Sequence, residues 1–356
     1  MSSLVYRWTL NSATIGCLIL LYLIFTGQGI GSLARITHVD RSQWQAIKTI
    51  FVSIFLEALP FMLLGVLVSA LLNLFVSEAA LTRWLPRNPV LGVLCACLLG
   101  ILLPVCECGM IPIVRRLLRK GMPVYIGIAY ILAAPIVNPV TYFATYAAFR
   151  TMTDMALYRT LMGFAVAVAV GITLYLFQRA NPIRTSAPGP ATGVVPSGHQ
   201  PHHTHTHAHT HSHDASGGSS RLLSLATHDA DEFFEMGKFL MLGALLTALI
   251  QTFVSRGELL ELSGGVLGSH LLMMGFAYLI SLCSTSDAFV AASFTGLFPK
   301  GALLAFLVYG PMIDFKNTLM LLSVFKSRFV VRLIVLVTLF VLVFSWLAGY
   351  WTSRHG

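Results

Sequence analysis

Pro104-Val-Cys-Glu-Cys-Gly-Met-Ile-Pro112 interrupts an otherwise apolar part of this chain. The apolar run from Val90 to Leu103 precedes it, so two thiols and a carboxylate follow about one helix length of membrane-like sequence. Proline removes a backbone N–H and glycine destabilises helix interiors, which predicts that no continuous helix passes through this stretch. At membrane depth, such backbone must be lined by protein or by a water-filled cavity. The stretch is therefore predicted to belong to a site.

The composition is that of a membrane protein. Of the 356 residues, 56% are hydrophobic and 10% are charged, whereas a soluble domain carries roughly 25% charged residues. Seven or more windows of the sequence meet the requirement of about 20 apolar residues for one transmembrane helix. The sequence therefore predicts an all-α, polytopic protein whose first partner is the lipid bilayer. The net charge of +9 resides in loops between apolar spans and indicates no nucleic-acid partner.

Four regions follow one another along the chain. Residues 1–43 are predicted to form an N-terminal transmembrane helix and a loop, residues 44–177 a first membrane repeat, and residues 231–356 a second. Residues 178–230 are rich in Pro, Gly, Ser, Thr and His, which is typical of a disordered linker.

The two membrane regions are predicted to be internal repeats. Seven of fifteen positions are identical between Glu57–Leu71 and Glu235–Leu249. Two pairs of interrupting residues further along are in register, Cys106 with Cys283 and Asn138 with Asp314. If both broken segments double back, 14 Lys and Arg residues lie on the linker side and 8 on the other, Lys316 excluded. If the segments cross the membrane, the division is 13 to 9. The larger bias favours re-entrant hairpins, an inverted repeat and a cytoplasmic linker, with broken crossing helices as the alternative.

Paired interruptions in corresponding halves point to the substrate site of a transporter, because free helix ends offer N–H and carbonyl groups to a solute. Carboxylates in apolar surroundings agree with this, since a charge at the bilayer centre costs at least about 2.5 kcal/mol. Glu107, Asp287 and Asp314 are in such positions, with Glu57 as a fourth, and proton or cation coupling is the hypothesis for them. The structural alternatives are simple proline kinks and an interfacial position for Glu57.

Thiols add a preference for soft substrates. Cys106 and Cys108 flank Glu107, and two thiolates with a carboxylate suit a soft metal or a thiophilic metalloid. The alternative is that these cysteines are small buried packing residues. The complete set of predicted substrate-binding residues is Cys106, Glu107, Cys108, Asn138, Cys283, Ser284, Asp287 and Asp314.

The linker carries a second metal-binding signal. Its alternating histidines form a loose multidentate chelator for divalent metals, without fixed geometry. The residues concerned are His202, His203, His205, His207, His209, His211 and His213. A flexible spacer is the alternative. The sequence contains none of the G-x-S-x-G, H-E-x-x-H or P-loop motifs, so we expect neither an enzyme nor a bound cofactor, and we expect gradient-driven or partner-assisted transport.

Three motifs resemble the signature stretches of the YraQ-like and ArsP-type bacterial permeases. They are Cys106-Glu-Cys-Gly-Met-Ile-Pro112, Ala134-Pro-Ile-Val-Asn-Pro139 and Cys283-Ser-Thr-Ser-Asp-Ala288. The likeness extends from Trp44 to Phe329 and implies a multi-pass permease of the bacterial inner membrane. One branch of that family exports trivalent organoarsenicals through membrane-embedded cysteines, which implies efflux of a soft metal, metalloid or organometalloid species. Glu107 and the His-rich linker depart from that branch.

Two other functions are open alternatives. A membrane thiol-redox carrier would pass reducing equivalents through Cys106, Cys108 and Cys283, although a disulfide within Cys-x-Cys is strained. A non-transporting membrane scaffold would instead hold a soluble partner. The sequence leaves the substrate, the coupling ion and the oligomeric state open.

Overall fold

The computed structural model describes residues 41–75, 86, 88–102, 107–177, 234, 237–249, 251–252 and 265–355. Three parts of the sequence-based prediction lie outside these residues. They are residues 1–40 of the N-terminal region, the linker of residues 178–230 with its seven candidate histidines, and Cys106.

The part of the first half that is described consists of helices. They are α1 (Arg41–Phe75), α2 (Pro89–Leu102), α3 (Glu107–Arg119), α4 (Val124–Val137), α5 (Pro139–Ala148) and α6 (Asp154–Phe177). The second half contains, in the same part of the structure, α7 (Gly237–Leu249), α8 (Gly265–Ile280), α9 (Ser286–Ala292), α10 (Lys300–Met312), α11 (Phe315–Val324) and α12 (Ser327–His355). Thr295 and Phe298 form an isolated bridge, and the described residues contain no sheet.

Four of these helical segments are long and apolar enough to cross a membrane. They are Ser42–Ser69, Val124–Ala148, Asp154–Phe177 and Ser327–Trp351. Shorter apolar helices, Pro89–Ile101, Gly237–Leu249 and Gly265–Ile280, accompany them. The prediction of an all-α polytopic membrane protein is confirmed.

Two helix breaks have the same local construction. Between α4 and α5, Asn138 has an extended ψ of 133°, and its side chain accepts a hydrogen bond from the N–H of Val140 at 2.9 Å. Between α10 and α11, Asp314 has ψ 174° and accepts from the N–H of Asn317. Pro135 and Pro311, in contrast, lie inside the preceding helices. The polar cap residues mark these breaks because they satisfy the N–H groups that a helix start leaves free.

The broken helices are the most buried part of the described structure. Residues 126–137 of α4 and residues 301–312 of α10 are buried throughout, and these two helices contact each other. Around them, helices of the first half contact helices of the second half. The pairs are α3 with α11 and α5 with α9. The short helices α3 and α9 therefore each lie against a helix of the opposite half that begins at a polar cap residue.

A close approach of backbones fixes α1 against α3. A Cβ atom added to Gly65 would lie 2.5 Å from Cα of Gly109. Only glycine allows this distance, because any side chain at residue 65 would overlap the backbone of α3. Ser69, one turn further along α1, donates to the carbonyl of Pro112 at 3.3 Å. This contact sets the position of Glu107, which begins α3.

Candidate functional site

A buried ion pair joins the two halves of the chain. Nη2 of Arg159, in the second turn of α6, lies 2.8 Å from Oδ2 and 3.0 Å from Oδ1 of Asp287, in the first turn of α9. Arg159 is 1% exposed and Asp287 is 2% exposed. A buried charge is costly without its partner, so each residue neutralises the other.

Hydroxyl and carbonyl groups complete the surroundings of this ion pair. Nη2 of Arg159 also donates to the carbonyl of Ser284 at 2.9 Å, and Nη1 donates to Oγ1 of Thr145 at 2.7 Å. Thr141, one turn earlier in α5, donates to the carbonyl of Pro135 at 2.9 Å, and its hydroxyl lies 3.4 Å from that of Ser284. We call this group the arginine cluster, and its members are Thr141, Thr145, Arg159, Ser284 and Asp287.

A second group of buried charges lies where α3 meets α11. Nζ of Lys316 is 3.8 Å from Oδ2 of Asp314. Glu107 interacts electrostatically with both Lys316 and Asp314. Each of the three residues is buried. We call Glu107, Asp314, Lys316 and the neighbouring Asn317 the lysine cluster.

The interruption after α8 touches the lysine cluster directly. Ser281 has φ 49°, in the left-handed region that non-glycine residues seldom occupy. Its hydroxyl accepts from the N–H of Phe315 at 3.1 Å and from the N–H of Lys316 at 3.4 Å. One side chain thus satisfies two free N–H groups at the start of α11 and ties the two interruptions of the second half together.

Thiols from both halves border the lysine cluster. Cys108 in α3 and Cys283 after α8 both interact electrostatically with Lys316. Cys283 also interacts with Glu107 and with Glu57 of α1. The hydroxyl of Thr285 lies 3.6 Å from Sγ of Cys283. Two thiols from opposite halves and two carboxylates therefore act electrostatically on the same buried lysine.

The structure brings most of the predicted substrate-binding residues into two neighbouring groups. Glu107 and Asp314 are in the lysine cluster with Cys108 and Cys283 beside it, and Ser284 and Asp287 are in the arginine cluster. Asn138 is buried and caps α5, and its described hydrogen bond joins neither cluster. Within the described part of the chain, no three His, Cys, Asp or Glu side chains have the arrangement of a metal site.

Sequence reasoning missed Arg159, Lys316, Asn317 and Ser281. A signal existed for Arg159, because it is a charged residue inside the apolar span Asp154–Phe177. Lys316 follows Asp314 by two residues, within reach of the same cap. The role of Ser281 had no signal in the sequence, because it depends on a left-handed backbone and on a partner 34 residues away.

Comparisons with known proteins agree with this architecture. The ArsP_1 family, described as predicted permease, matches residues 43–350 of the chain. The chain is 42% identical over 303 residues to a protein of Bacillus subtilis named UPF0718 protein YcgR, covering 85% of this chain and 96% of that protein.

A second relative carries a more specific name. Over 317 residues the chain is 31% identical to a protein of Streptococcus mutans serotype c, named putative two-component membrane permease complex subunit. The match covers 89% of this chain and 99% of that protein. No solved structure matches the chain.

Proposed function

Because this chain belongs to the ArsP_1 family of predicted permeases, we propose that it moves a soft metal, metalloid or organometalloid species across a bacterial inner membrane. The observation that carries this proposal is geometric. Cys108 lies on α3, which packs against α11, and Cys283 follows Ser281, whose hydroxyl accepts from the first N–H groups of α11. Thiols select soft ions, and the neighbouring Glu107 adds a negative charge for a cationic substrate. Cys106, next to Glu107 in the sequence, is part of the proposed site.

The route that we propose passes between the interrupted helices. Free helix ends and polar caps at bilayer depth are the usual means by which transporters bind solutes. The matching breaks at Asn138 and Asp314, each followed by a helix of 10 residues, support the predicted repeat. The contacts of α3 with α11 and of α9 with α5, between opposite halves, support a substrate site at the interface of the two repeats. We propose an inverted repeat, with the His-rich linker in the cytoplasm as a loose metal buffer.

Efflux driven by an ion gradient is the proposed direction and energy source. The chain has no P-loop, so nucleotide hydrolysis would have to come from another protein. A cytoplasmic chelator in the linker would collect soft ions before export, which favours outward transport.

Growth of a deletion strain in a panel of soft ions tests the proposal. The strain, complemented with the wild-type gene, is grown with arsenite, cadmium, copper, nickel and zinc, and membrane levels of each variant are measured by immunoblot. We expect Cys108→Ser and Cys283→Ser to lose protection while remaining in the membrane. Cys95→Ser is the matched control, since Cys95 is exposed on α2. Full protection by both site variants would refute the thiol site.

We also propose that the chain works with a second membrane subunit. The name of the Streptococcus mutans relative supports this, since it describes a subunit of a two-component complex. Affinity purification of the tagged full chain from its native membrane in a mild detergent should bring one further polypeptide in a fixed ratio. A chain that purifies alone and still protects cells would contradict a two-component permease.

A further inference from the structure

Three buried oxygen atoms of the lysine cluster accept no hydrogen bond from the described residues. They are Oε1 of Glu107, Oδ2 of Asp314 and Oδ1 of Asn317. Glu107 is 2% exposed, and Asp314 and Asn317 are each 1% exposed. An unsatisfied buried acceptor costs about 1–3 kcal/mol, and more when it is charged. Three of them in one cluster call for a ligand that supplies positive charge.

The three acceptors share one short piece of the fold. Asp314 and Asn317 lie at the start of α11, where the N–H of Asn317 donates to Asp314 and its amide Nδ2 is 3.5 Å from the carbonyl of Met312. Glu107 begins α3, which packs against α11. The C-terminal end of α10 is at the same break, and carbonyl groups at such an end favour cations.

The charges of the cluster do not balance. With both carboxyl groups ionised, Glu107 and Asp314 carry two negative charges against the one positive charge of Lys316. Nζ of Lys316 is 3.8 Å from Asp314, which is an ion-pair distance but too long for a hydrogen bond. One negative charge is therefore left over, and one monovalent cation would neutralise it.

Among the residues that the structure describes, the other groups that act electrostatically on Glu107 do not supply this charge. Cys108 in its own helix and Asp287 of α9 interact with it electrostatically, and so does Cys283, and none of the three is a cation. Of the helices packed against α3, α4 contains no Asp, Glu, Lys, Arg or His. On α1, Glu57 interacts electrostatically with Cys283, and it is also acidic.

We propose that Glu107, Asp314 and Asn317 bind one small monovalent cation of the Na⁺ class, and that Lys316 competes with it for Asp314. Carboxylate and amide oxygens are hard ligands and prefer such a cation to a soft one. When the cation binds, the ammonium group of Lys316 is displaced from Asp314. When the cation leaves, Lys316 returns and limits the cost of the buried carboxylate. This cation site shares Glu107 with the proposed thiol site but differs from it in using hard oxygen ligands.

A role in transport follows if the proposed function is correct. The lysine cluster borders Cys108 and Cys283, so a cation at Asp314 and a soft substrate at the thiols would share Lys316 as a neighbour. The cation is then the coupling ion of the permease. This role rests on the proposed function, whereas the binding of the cation itself does not.

Thermal unfolding of the purified full chain in detergent tests the binding. The midpoint is measured with increasing sodium chloride, with choline chloride added to hold ionic strength constant. We expect a saturable rise in sodium of about 2 °C or more, because a ligand that binds only the folded state stabilises it. Equal midpoints in sodium and choline would overturn the proposal. A response to acidic pH in choline, without any response to sodium, would show a proton site and overturn the assignment to Na⁺.

Variants locate the site and test the competition. Asp314→Asn and Glu107→Gln should each raise the half-saturating sodium concentration at least about tenfold, as loss of ligands at ion sites does. Lys316→Met should lower it, because the built-in competitor is gone. Asp154→Asn changes an exposed residue in the first turn of α6; it is the control and should bind sodium as the wild type does. An unchanged sodium response in Asp314→Asn, or a weaker one in Lys316→Met, would overturn the assignment.

Uptake of radioactive cadmium by proteoliposomes separates this inference from the proposed function. A sodium gradient should drive cadmium movement in the wild type and fail to drive it in Asp314→Asn. Sodium binding without any cadmium transport would refute cadmium as a substrate and leave the cation site intact. Cadmium transport that ignores the sodium gradient would refute the coupling role and leave the permease function intact.

Discussion

Arg159 of α6 and Asp287 of α9 form an ion pair of 2.8 Å across 128 residues of sequence. The pair is a direct charged link between the two halves of the chain. Thr145 and the carbonyl of Ser284 satisfy two further N–H groups of Arg159. The guanidinium group therefore fixes both the carboxylate and the backbone of the interruption that precedes α9.

Loss of Arg159 should destabilise the folded protein strongly. Arg159→Met leaves Asp287 buried without a partner, and the removal of one member of a buried pair costs about 3–5 kcal/mol. The double variant Arg159→Met with Asp287→Asn should recover part of this loss, since it removes the unpaired charge. Thermal unfolding in detergent measures both variants. A double variant less stable than Arg159→Met would contradict the pairing.

Replacement of Gly65 by alanine should separate α1 from α3. The added methyl group would lie 2.5 Å from Cα of Gly109, so the helices must move apart, at a cost of about 1–3 kcal/mol. Gly275→Ala is the matched control, because a Cβ there meets nothing within 4 Å. That variant should be neutral or stabilising, since alanine favours helix over glycine. Equal unfolding midpoints for the two variants would contradict the close packing.

Substitutions of Ser281 should distinguish its hydroxyl from its backbone. Ser281→Ala removes the acceptor for the N–H groups of Phe315 and Lys316, which should cost about 1 kcal/mol, as the loss of a helix cap does. Ser281→Gly also removes the hydroxyl but relieves the left-handed φ of 49° and should cost less. Unfolding midpoints in the reverse order would argue against strain at this position.

Removal of the helix caps at Asn138 and Asp314 should lower the free energy of unfolding by different amounts. Asn138→Ala removes a neutral cap from α5, with an expected cost of about 0.5–2 kcal/mol. Asp314→Ala removes a cap and also the carboxylate nearest to the buried ammonium group of Lys316, so it should cost more. Unfolding of both variants at one salt concentration makes the comparison. A larger loss for Asn138→Ala would show that Lys316 does not depend on Asp314.

Much of the fold could be predicted from local sequence. Long apolar runs of low charge give membrane helices because the bilayer requires internally satisfied backbone. The interruption near Asn138 and the one near Asp314 are present in the structure. Pro112, Pro135 and Pro311 are accommodated inside helices, and the breaks near Asn138 and Asp314 lie at these polar cap residues.

The candidate site was predictable in part for the same reason. A carboxylate in an apolar segment must be buried against a partner, which indicates Glu107, Asp287 and Asp314 without any structure. The identity of the partner is a different matter. Arg159 stands in a helix that otherwise looks like a simple span, and its distance in sequence from Asp287 carries no pattern.

The sequence by itself determined that this is an all-α membrane protein, where its helices break, and which acids are buried. These features depend on interactions within a few residues and on the cost of polar groups in lipid. The tertiary structure alone decided that α3 lies against α11 and α9 against α5. These contacts bring Glu107 close to Asp314 and Lys316, and Arg159 close to Asp287. Packing between segments that are distant in the sequence decides which charged residues are neighbours, and local sequence does not encode it.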